Sequence, residues 1–422
     1  MSEQYQPQRL AKTGRRKKNK IALLIVLLGI LLLVAAVVLA VIVLRDDSAG
    51  SDPAVQQQEG VVTIAAVGDI HMDPTLMKAA RTASNDYDFS PSFLGVADHL
   101  VGADITVGNL ECSFAGPDAV DKEGWAPDSM AGTLSGLGFD ILQTANSYAI
   151  TGGMEGLNRS VQVIEGAQMQ TVGTSLSKKD YRDDHGIAEV EVNGMRVVFV
   201  AFTKGLNNMS LPEGNDYAVN LLYEDYDTNY SELAEDEIRD VMQAAQKRNP
   251  DVLIALVHWG VEGDDEHSEV QEEVADILIE EGADAIIGSH SHMVGGFETR
   301  TVITEDDEER SGFVAYDLGD FYTASDKNGS NQSLLLQLKF TRDRRGNTEL
   351  SSISYVPLYR TDDAEGAGMR FQVWDARLAM ELYEQGYVQR VSREEYDAMA
   401  AAVEDITEIV AAPEEPELPP EE

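Results

Sequence analysis

The longest apolar run lies near the start of the chain. Ile21 to Leu44 (IALLIVLLGILLLVAAVVLAVIVL) holds no charged or amide side chain. At about 1.5 Å per residue, a helix of that length reaches roughly 36 Å, enough to cross a hydrocarbon core of about 30 Å with some tilt. In lipid, only a helix satisfies its own backbone over such a segment. A cleaved signal sequence has a shorter apolar region, about 7–15 residues, and ends at small residues; this run ends in Val43-Leu44-Arg45. The pattern predicts an uncleaved transmembrane helix over 21–44.

Beyond it the apolar runs are short and alternate with helical periods. Val61–Val67, Asp104–Val107, Phe139–Leu142, Val252–Val257, Ala285–Ile287, Phe313–Tyr316 and Leu334–Leu338 read as buried strands. Ile187–Val192 and Met195–Phe202 flank Asn193-Gly194, a two-residue hairpin signal. Helical spacing marks Met154–Gly166, Tyr230–Lys247 and Glu269–Glu281, with a further helix near Asp375–Gly386. Strands alternating with helices predict an α/β fold, and the hairpin makes its sheets mixed. Residues 45–60 are small and polar and read as a flexible stalk. Residues 412–422 (PEEPELPPEE after Ala412) read as a disordered acidic tail. Between them lie a main domain over 61–360 and a helical extension over 361–411.

Charge sets the expected orientation. Residues 1–20 carry Arg9, Lys12, Arg15, Arg16, Lys17, Lys18 and Lys20 against Glu3. Positive flanks stay inside. The basic tail is therefore expected in the cytoplasm and residues 45–422 outside, on a single-pass membrane protein. The whole chain is −42, so the part after this +6 tail carries −48. Such a surface repels nucleic acid at long range and attracts cations. The single cysteine, Cys112, excludes an intramolecular disulfide. That usage fits a bacterial surface protein better than a disulfide-rich secreted domain.

Candidate chemistry gathers where strands end. His71 follows Asp69 in AVGDIHMDP, His258 ends VLIALVH, and His290 and His292 sit in IIGSHSHMVGG. Loops at the carboxyl ends of strands build functional sites in α/β folds. Glu111 follows a strand in ITVGNLECS, and Asn146 follows another in LQTANSYAITGG. Each fragment is weak alone; together they predict a metal site. Imidazole with carboxylate suits Zn, Mn or Fe rather than Mg or Ca. Two such ions about 3.5–4 Å apart make a hydrolytic site. Trp259 reads as packing, and His99, His185 and His267 as surface residues.

The string GD(69), NLE(111), AN(146), HWG(258), GSHSH(290, 292) and YDLGDF resembles the CapA family of capsule and poly-γ-glutamate biosynthesis proteins, distant relatives of the calcineurin-like metallophosphoesterases. The likeness runs from about Val61 to about Phe321. It implies a sandwich of two mixed β-sheets flanked by helices. It implies that Asp69, His71, Glu111, Asn146, His258, His290 and His292 surround two divalent transition-metal ions, with Glu111 in the place of a bridging aspartate. It also implies an anionic polymer such as poly-γ-glutamate and a membrane synthase complex as partners. Two places depart from the family. Members read Asn-Asn-His-x-x-Asp where this chain reads Asn146-Ser147-Tyr148-Ala149-Ile150-Thr151, and Ser-Leu-Gly-Asn-Phe where it reads Asp317-Leu318-Gly319-Asp320-Phe321. The resemblance gives the missing histidine a general-acid role near the leaving group. Tyrosine, with an ordinary pKa near 10, is a poor proton shuttle at pH 7. Three functions fit: an anchored component of a surface-polymer system, a metal-dependent phosphoester or amide hydrolase with Asn146 and Tyr148 at its reacting centre, and a metal-free binding module.

Overall fold

Alternation along the strands builds the centre of the molecule. The computed structural model describes residues 59–114, 122–304, 306–325, 327, 329–363, 369–387 and 391–411. The predicted tail 1–20, the transmembrane helix 21–44, the stalk up to residue 58 and the acidic tail 412–422 lie outside the described residues. Among the described residues, no helix is long and apolar enough to cross a membrane.

The described strands are β1 (Gly60–Ile70), β2 (Ile105–Asn109), β3 (Ser113–Phe114), β4 (Trp125–Ala126), β5 (Ile141–Gln143), β6 (Gln170–Val172), β7 (Ala188–Val192), β8 (Met195–Thr203), β9 (Val252–His258), β10 (Ala285–Ser289), β11 (Phe297–Ile303), β12 (Glu309–Ala315), β13 (Asp320–Tyr322), β14 (Gln332–Arg342), β15 (Thr348–Asp362) and β16 (Phe371–Asp375). One sheet runs β16-β15-β14-β1-β2-β5-β6, with β13 also paired to β1. A second runs β11-β12-β10-β9-β8-β7. Both are mixed: β1, β2, β5 and β6 are parallel, as are β8, β9, β10 and β12, while β14, β15, β16, β7 and β11 join antiparallel. The Asn193-Gly194 hairpin forms, with both residues at positive φ (52° and 75°) as a tight two-residue turn requires.

Strand side chains alternate between faces. From the first sheet, Val62, Ile64, Ala66, Leu334, Leu336 and Leu338 join one core with Val197, Phe199, Ala201, Ile254, Leu256 and Ile287 of the second. That core is the sandwich interior. The other face of the second sheet (Val198, Val200, Leu253, Ala255, Val257) is covered by the helices Glu235–Gln246 and Glu269–Glu280. Ser268 and Gln271 close a capping box that fixes where the second of these begins. The other face of the first sheet (Ala65, Val67, Ile70, Leu335) packs against Leu76, Phe93, Leu100, Met130 and Leu134.

Two differences from the sequence reading concern helices. The segment 361–411 opens not with a helix but with the end of β15 and the edge strand β16; the helices Ala376–Glu384 and Arg393–Val410 follow. Ile406 and Val410 of the last helix belong to the inter-sheet core. The helix expected from Tyr230 starts at Glu235, because Tyr230 sits at φ 54° and Tyr223 bridges Leu233 in a turn.

Candidate metal centre

The parallel strands of both sheets run the same way, so their carboxyl ends meet. Asp69 lies in β1 and His71 just after it, Glu111 follows β2, Asn146 follows β5, His258 closes β9, and His290 and His292 follow β10. Close backbone approach makes this possible. A Cβ on Gly68 would meet the Gly319 carbonyl oxygen at 1.8 Å, and one on Gly288 would meet that of Tyr316 at the same distance. Only glycine lets these turns approach the strands that carry Asp69 and Ser289.

The sequence-predicted residues converge on Glu111, which is 1% exposed. One Glu111 oxygen lies 3.2 Å from His71 Nδ1 and 4.0 Å from His292 Nδ1; the other lies 3.4 Å from His258 Nε2. Two groups of ligand atoms result, each with its members within 4.8 Å of one another: Glu111, His258 and His290, and Asp69, Glu111 and His292. Glu111 is common to both. Asn146 is buried beneath them. Its amide donates to the Asn109 side chain at 3.0 Å and to the Leu110 carbonyl at 2.8 Å, and its oxygen accepts from the Tyr148 N–H at 3.0 Å.

Whether these residues suit a metal ion can be judged from their own chemistry. His290 is buried, and its Nδ1 has no hydrogen-bond partner among the described residues. Its backbone is held at φ 103° and that of His292 at φ 62°. A bulky residue persists at such angles only where its surroundings impose them, and such positions cluster at functional sites. A buried imidazole nitrogen without a partner, beside carboxylates and a second imidazole, is a donor set that fits a divalent transition metal. His258 Nδ1 lies 3.1 Å from Ser289 Oγ and 3.2 Å from Asn109 Nδ2, an outer set of contacts that orients the ring.

Electrostatics differ around the centre. Burial alone would raise the Glu111 pKa, but its hydrogen bonds from His258 and His71 hold it well below the carboxylate range. Burial opposes the charge on His71, yet Glu111 and Glu123 raise its pKa to about 10. His292 is likewise raised, against burial, by Asp320 and Asp69. His290 moves the other way: burial and the neighbouring His258 keep it neutral.

Five residues at the centre lay outside the predicted set. Asp320 Oδ1 lies 2.9 Å from His292 Nδ1. Asn109 donates to Asp69 at 2.6 Å, Ser147 Oγ lies 3.0 Å from His258 Nε2, and Glu123 lies 3.3 Å from His71 Nε2. Asp317 accepts from the Ser291 and Gly319 N–H groups, and burial with nearby Asp69 raises its pKa to about 8. A signal existed for two of them: Asp317 and Asp320 are the acids that replace neutral residues in the second departure from the family pattern. Asn109 stands inside the quoted Asn-Leu-Glu. Ser147 stands in the first departure, where the family reads Asn, and Glu123 carried no signal.

Of the remaining histidines, His267 is exposed as expected, while His99 and His185 are half-buried. His267 stacks on Tyr316 with ring centroids 3.8 Å apart, and His185 packs on Tyr181 and reaches Asp240 at 3.4 Å. His99 is only 31% exposed and bonds Asp375. Trp259 is packing, as expected: it is 2% exposed and its Nε1–H donates to the Tyr316 carbonyl.

The centre opens into a cavity of about 400 Å³. Asp73, Glu111, Glu123, Glu262 and Asp320 line it, with Lys327 as the single Lys or Arg among the described residues there. Tyr148 is also in this wall, edge-on to His71 with centroids 5.2 Å apart. Burial and the Glu123 and Glu111 carboxylates push its phenol above the ordinary tyrosine range.

A mixed α/β sandwich with a buried carboxylate–imidazole centre at its strand ends defines the class. Residues 63–325 match the family described as bacterial capsule synthesis protein PGA_cap, and the chain belongs to that family. It is 24% identical over 295 residues to the capsule biosynthesis protein CapA of Bacillus anthracis, covering 68% of this chain and 65% of that protein. It is 23% identical over 297 residues to the PGA biosynthesis protein CapA of Bacillus subtilis (strain 168), covering 70% and 72%. The chain thus spans about two thirds of the length of the relatives it matches. A Staphylococcus aureus structure provisionally described as a 5'-nucleotidase, in complex with alpha-ketoglutarate, superposes with a TM-score of 0.42 at 14% identity over 70% of this chain and 54% of that one.

Proposed function

We propose that this chain is a membrane-anchored component of a capsule or poly-γ-glutamate-type polymer system. In this reading Ile21–Leu44 is the anchor, the N-terminus is cytoplasmic and the centre faces outward. The centre engages the anionic polymer through divalent ions during its synthesis, export or attachment, alongside a membrane synthase complex. One observation carries the reading: a buried carboxylate, Glu111, shared by two ligand groups that open into an acid-lined cavity. An anionic chain entering that cavity would meet Asp73, Glu123, Glu262 and Asp320 and be repelled. Cations at Glu111 would reverse the sign locally. Asp69, His71, Glu111 and His292 would hold one ion and Glu111, His258 and His290 a second, with Mn, Zn or Fe the metals that suit such donors. Bound there, a divalent ion supplies positive charge and Lewis acidity. The protein's own residues do the rest. Asn109 and Ser289 orient His258, Asp317 fixes the His290–His292 turn through the Ser291 N–H, and the acidic wall limits entry to ligands able to meet that charge.

Deletion of the gene tests the reading. Surface polymer should fall, and a copy carrying Glu111→Ala should fail to restore it. Unchanged polymer after deletion rejects it.

A second reading, a metal-dependent hydrolase, is favoured by the shared carboxylate, since two-metal hydrolytic sites are built around such a bridge. Tyr148 weighs against it. A phenol whose pKa is pushed up by burial and by Glu123 holds its proton and makes a weak general acid. Turnover of a phosphoester or γ-glutamyl substrate by the purified chain with Mn or Zn would establish this reading, and none would remove it.

A further inference from the structure

A second cavity, of about 270 Å³, shares no lining residue with the metal centre. It forms between the end of β8, the loop after it and the helices Lys178–Asp184 and Glu235–Gln246. Its buried lining is apolar apart from Asn220, with Phe202, Val219, Ala234 and Val241. Three half-buried tyrosines, Tyr181, Tyr223 and Tyr226, add aromatic surface, and three exposed carboxylates, Asp216, Glu224 and Glu237, also line it.

Among the described residues, no Lys, Arg or His lines this cavity. Two of the basic groups nearby are held elsewhere. Arg239, on the same helix as Glu237, pairs with Glu280 and Glu281, and His185, packed against Tyr181, reaches Asp240. Burial and the adjacent Glu224 carboxylate raise the pKa of Glu237. A further polar group is unsatisfied. Asn220 lines the cavity and is 5% exposed; its amide donates to the His185 carbonyl at 3.0 Å, but its Oδ1 is buried with no hydrogen-bond partner among the described residues. A buried acceptor without a donor is unfavourable and calls for one.

These features define the missing ligand by subtraction. An anion is repelled. A neutral polyol leaves three carboxylates uncompensated. A small inorganic cation would leave water for tyrosine rings and aliphatic groups, which cannot replace its hydration. A cation with an apolar body matches the cavity lining: ammonium N–H groups for the carboxylates, ring faces for the charge, and aliphatic surface for the body. We propose that this cavity binds an alkylammonium ion, delivered either as a free small amine or as the side chain of a lysine in a partner protein. The site is separate from the metal centre and does not depend on its function.

Isothermal titration of the purified full-length chain tests this with three probes: 1,5-diaminopentane, a lysine capped at both ends, and 1,5-pentanediol as the uncharged control. Both amines should bind saturably and the diol should not. The Glu224→Gln/Glu237→Gln variant changes two exposed residues and should keep the wild-type melting transition while binding the amines at least tenfold more weakly. Asp216→Asn should weaken them by a smaller factor, and serves as the test should the double variant fail to fold. Tighter binding of the capped lysine assigns the site to a protein partner, and tighter binding of the diamine to a free amine. Absence of saturable binding by either amine overturns the proposal. So does equal binding of the diol, or amine affinity unchanged in the carboxylate variants.

Discussion

The two sides of Glu111 solve the same problem in opposite ways. On one side, Asp69, His71 and His292 are matched by charge: the imidazoles lie against Glu111, Glu123 and Asp320, which hold protons on them. On the other, His258 and His290 lie 4.5 Å apart between ring centroids, and His290 stays neutral with Nδ1 unpartnered. The first side is internally satisfied, and an ion entering it must displace protons. On the second, His290 already presents a neutral ring. The contrast teaches that a shared carboxylate does not make the two positions equivalent, and that proton competition should separate them.

The largest effect is expected where the sides meet. Glu111→Ala removes a ligand from both groups, and elemental analysis of the purified chain should find neither ion. Full retention of one would show that the carboxylate is not shared. Single substitutions should then divide the sides. His290→Ala should lose the ion of its own group and keep the other, while His292→Ala should do the reverse; loss of both ions in either variant would merge the two positions into one.

A smaller effect comes from pH. His71 is raised from 6.5 to about 10, so it is protonated in the ion-free protein across the neutral range. Ligation needs the neutral ring. Affinity on that side should therefore rise with pH, by about tenfold per unit for each proton displaced, and level off above the folded pKa. Affinity on the His258–His290 side should change less, and titrations at pH 6.5 and 8.5 measure both. Stability of the chelated protein has the opposite sign. A raised folded pKa contributes stability that is fully present below pH 6.5 and lost as pH rises through about 10. The urea midpoint should fall over that window, and fall less in His71→Gln. Smallest of all is Tyr148→Phe, which keeps the ring against His71 and removes only a phenol that holds its proton. Metal content and surface polymer should change by less than about twofold. A tenfold loss of polymer would give the hydroxyl a role the account does not.

Much of this was legible because strand ends punctuate the sequence. VLIALVH shows both a buried strand and the histidine that closes it, and Asp69, Glu111, His290 and His292 stood out as separate run-terminal fragments. What stayed hidden depended on long-range register. Asp320 becomes a neighbour of His292 only because β13 pairs with β1 beside Asp69, a parallel contact between residues far apart in the chain. β15 was missed because most of its residues from Glu349 to Tyr355 are exposed or half-exposed, so no apolar alternation marks it. β11 was missed for the same reason, lying at a sheet edge with no fully buried residue. The second cavity had no sequence signal at all, since its tyrosines and carboxylates come from two helices and a loop.

The central claim is that ions at Glu111 turn an acidic cavity into a site for an anionic polymer. Binding of defined-length poly-γ-glutamate to the purified full-length chain, with metal counted in the same samples, tests it most directly. The account predicts binding in the presence of Mn or Zn, its loss on chelation, and its absence in Glu111→Ala at every metal concentration. Equal binding by the chelated protein and by Glu111→Ala would contradict it.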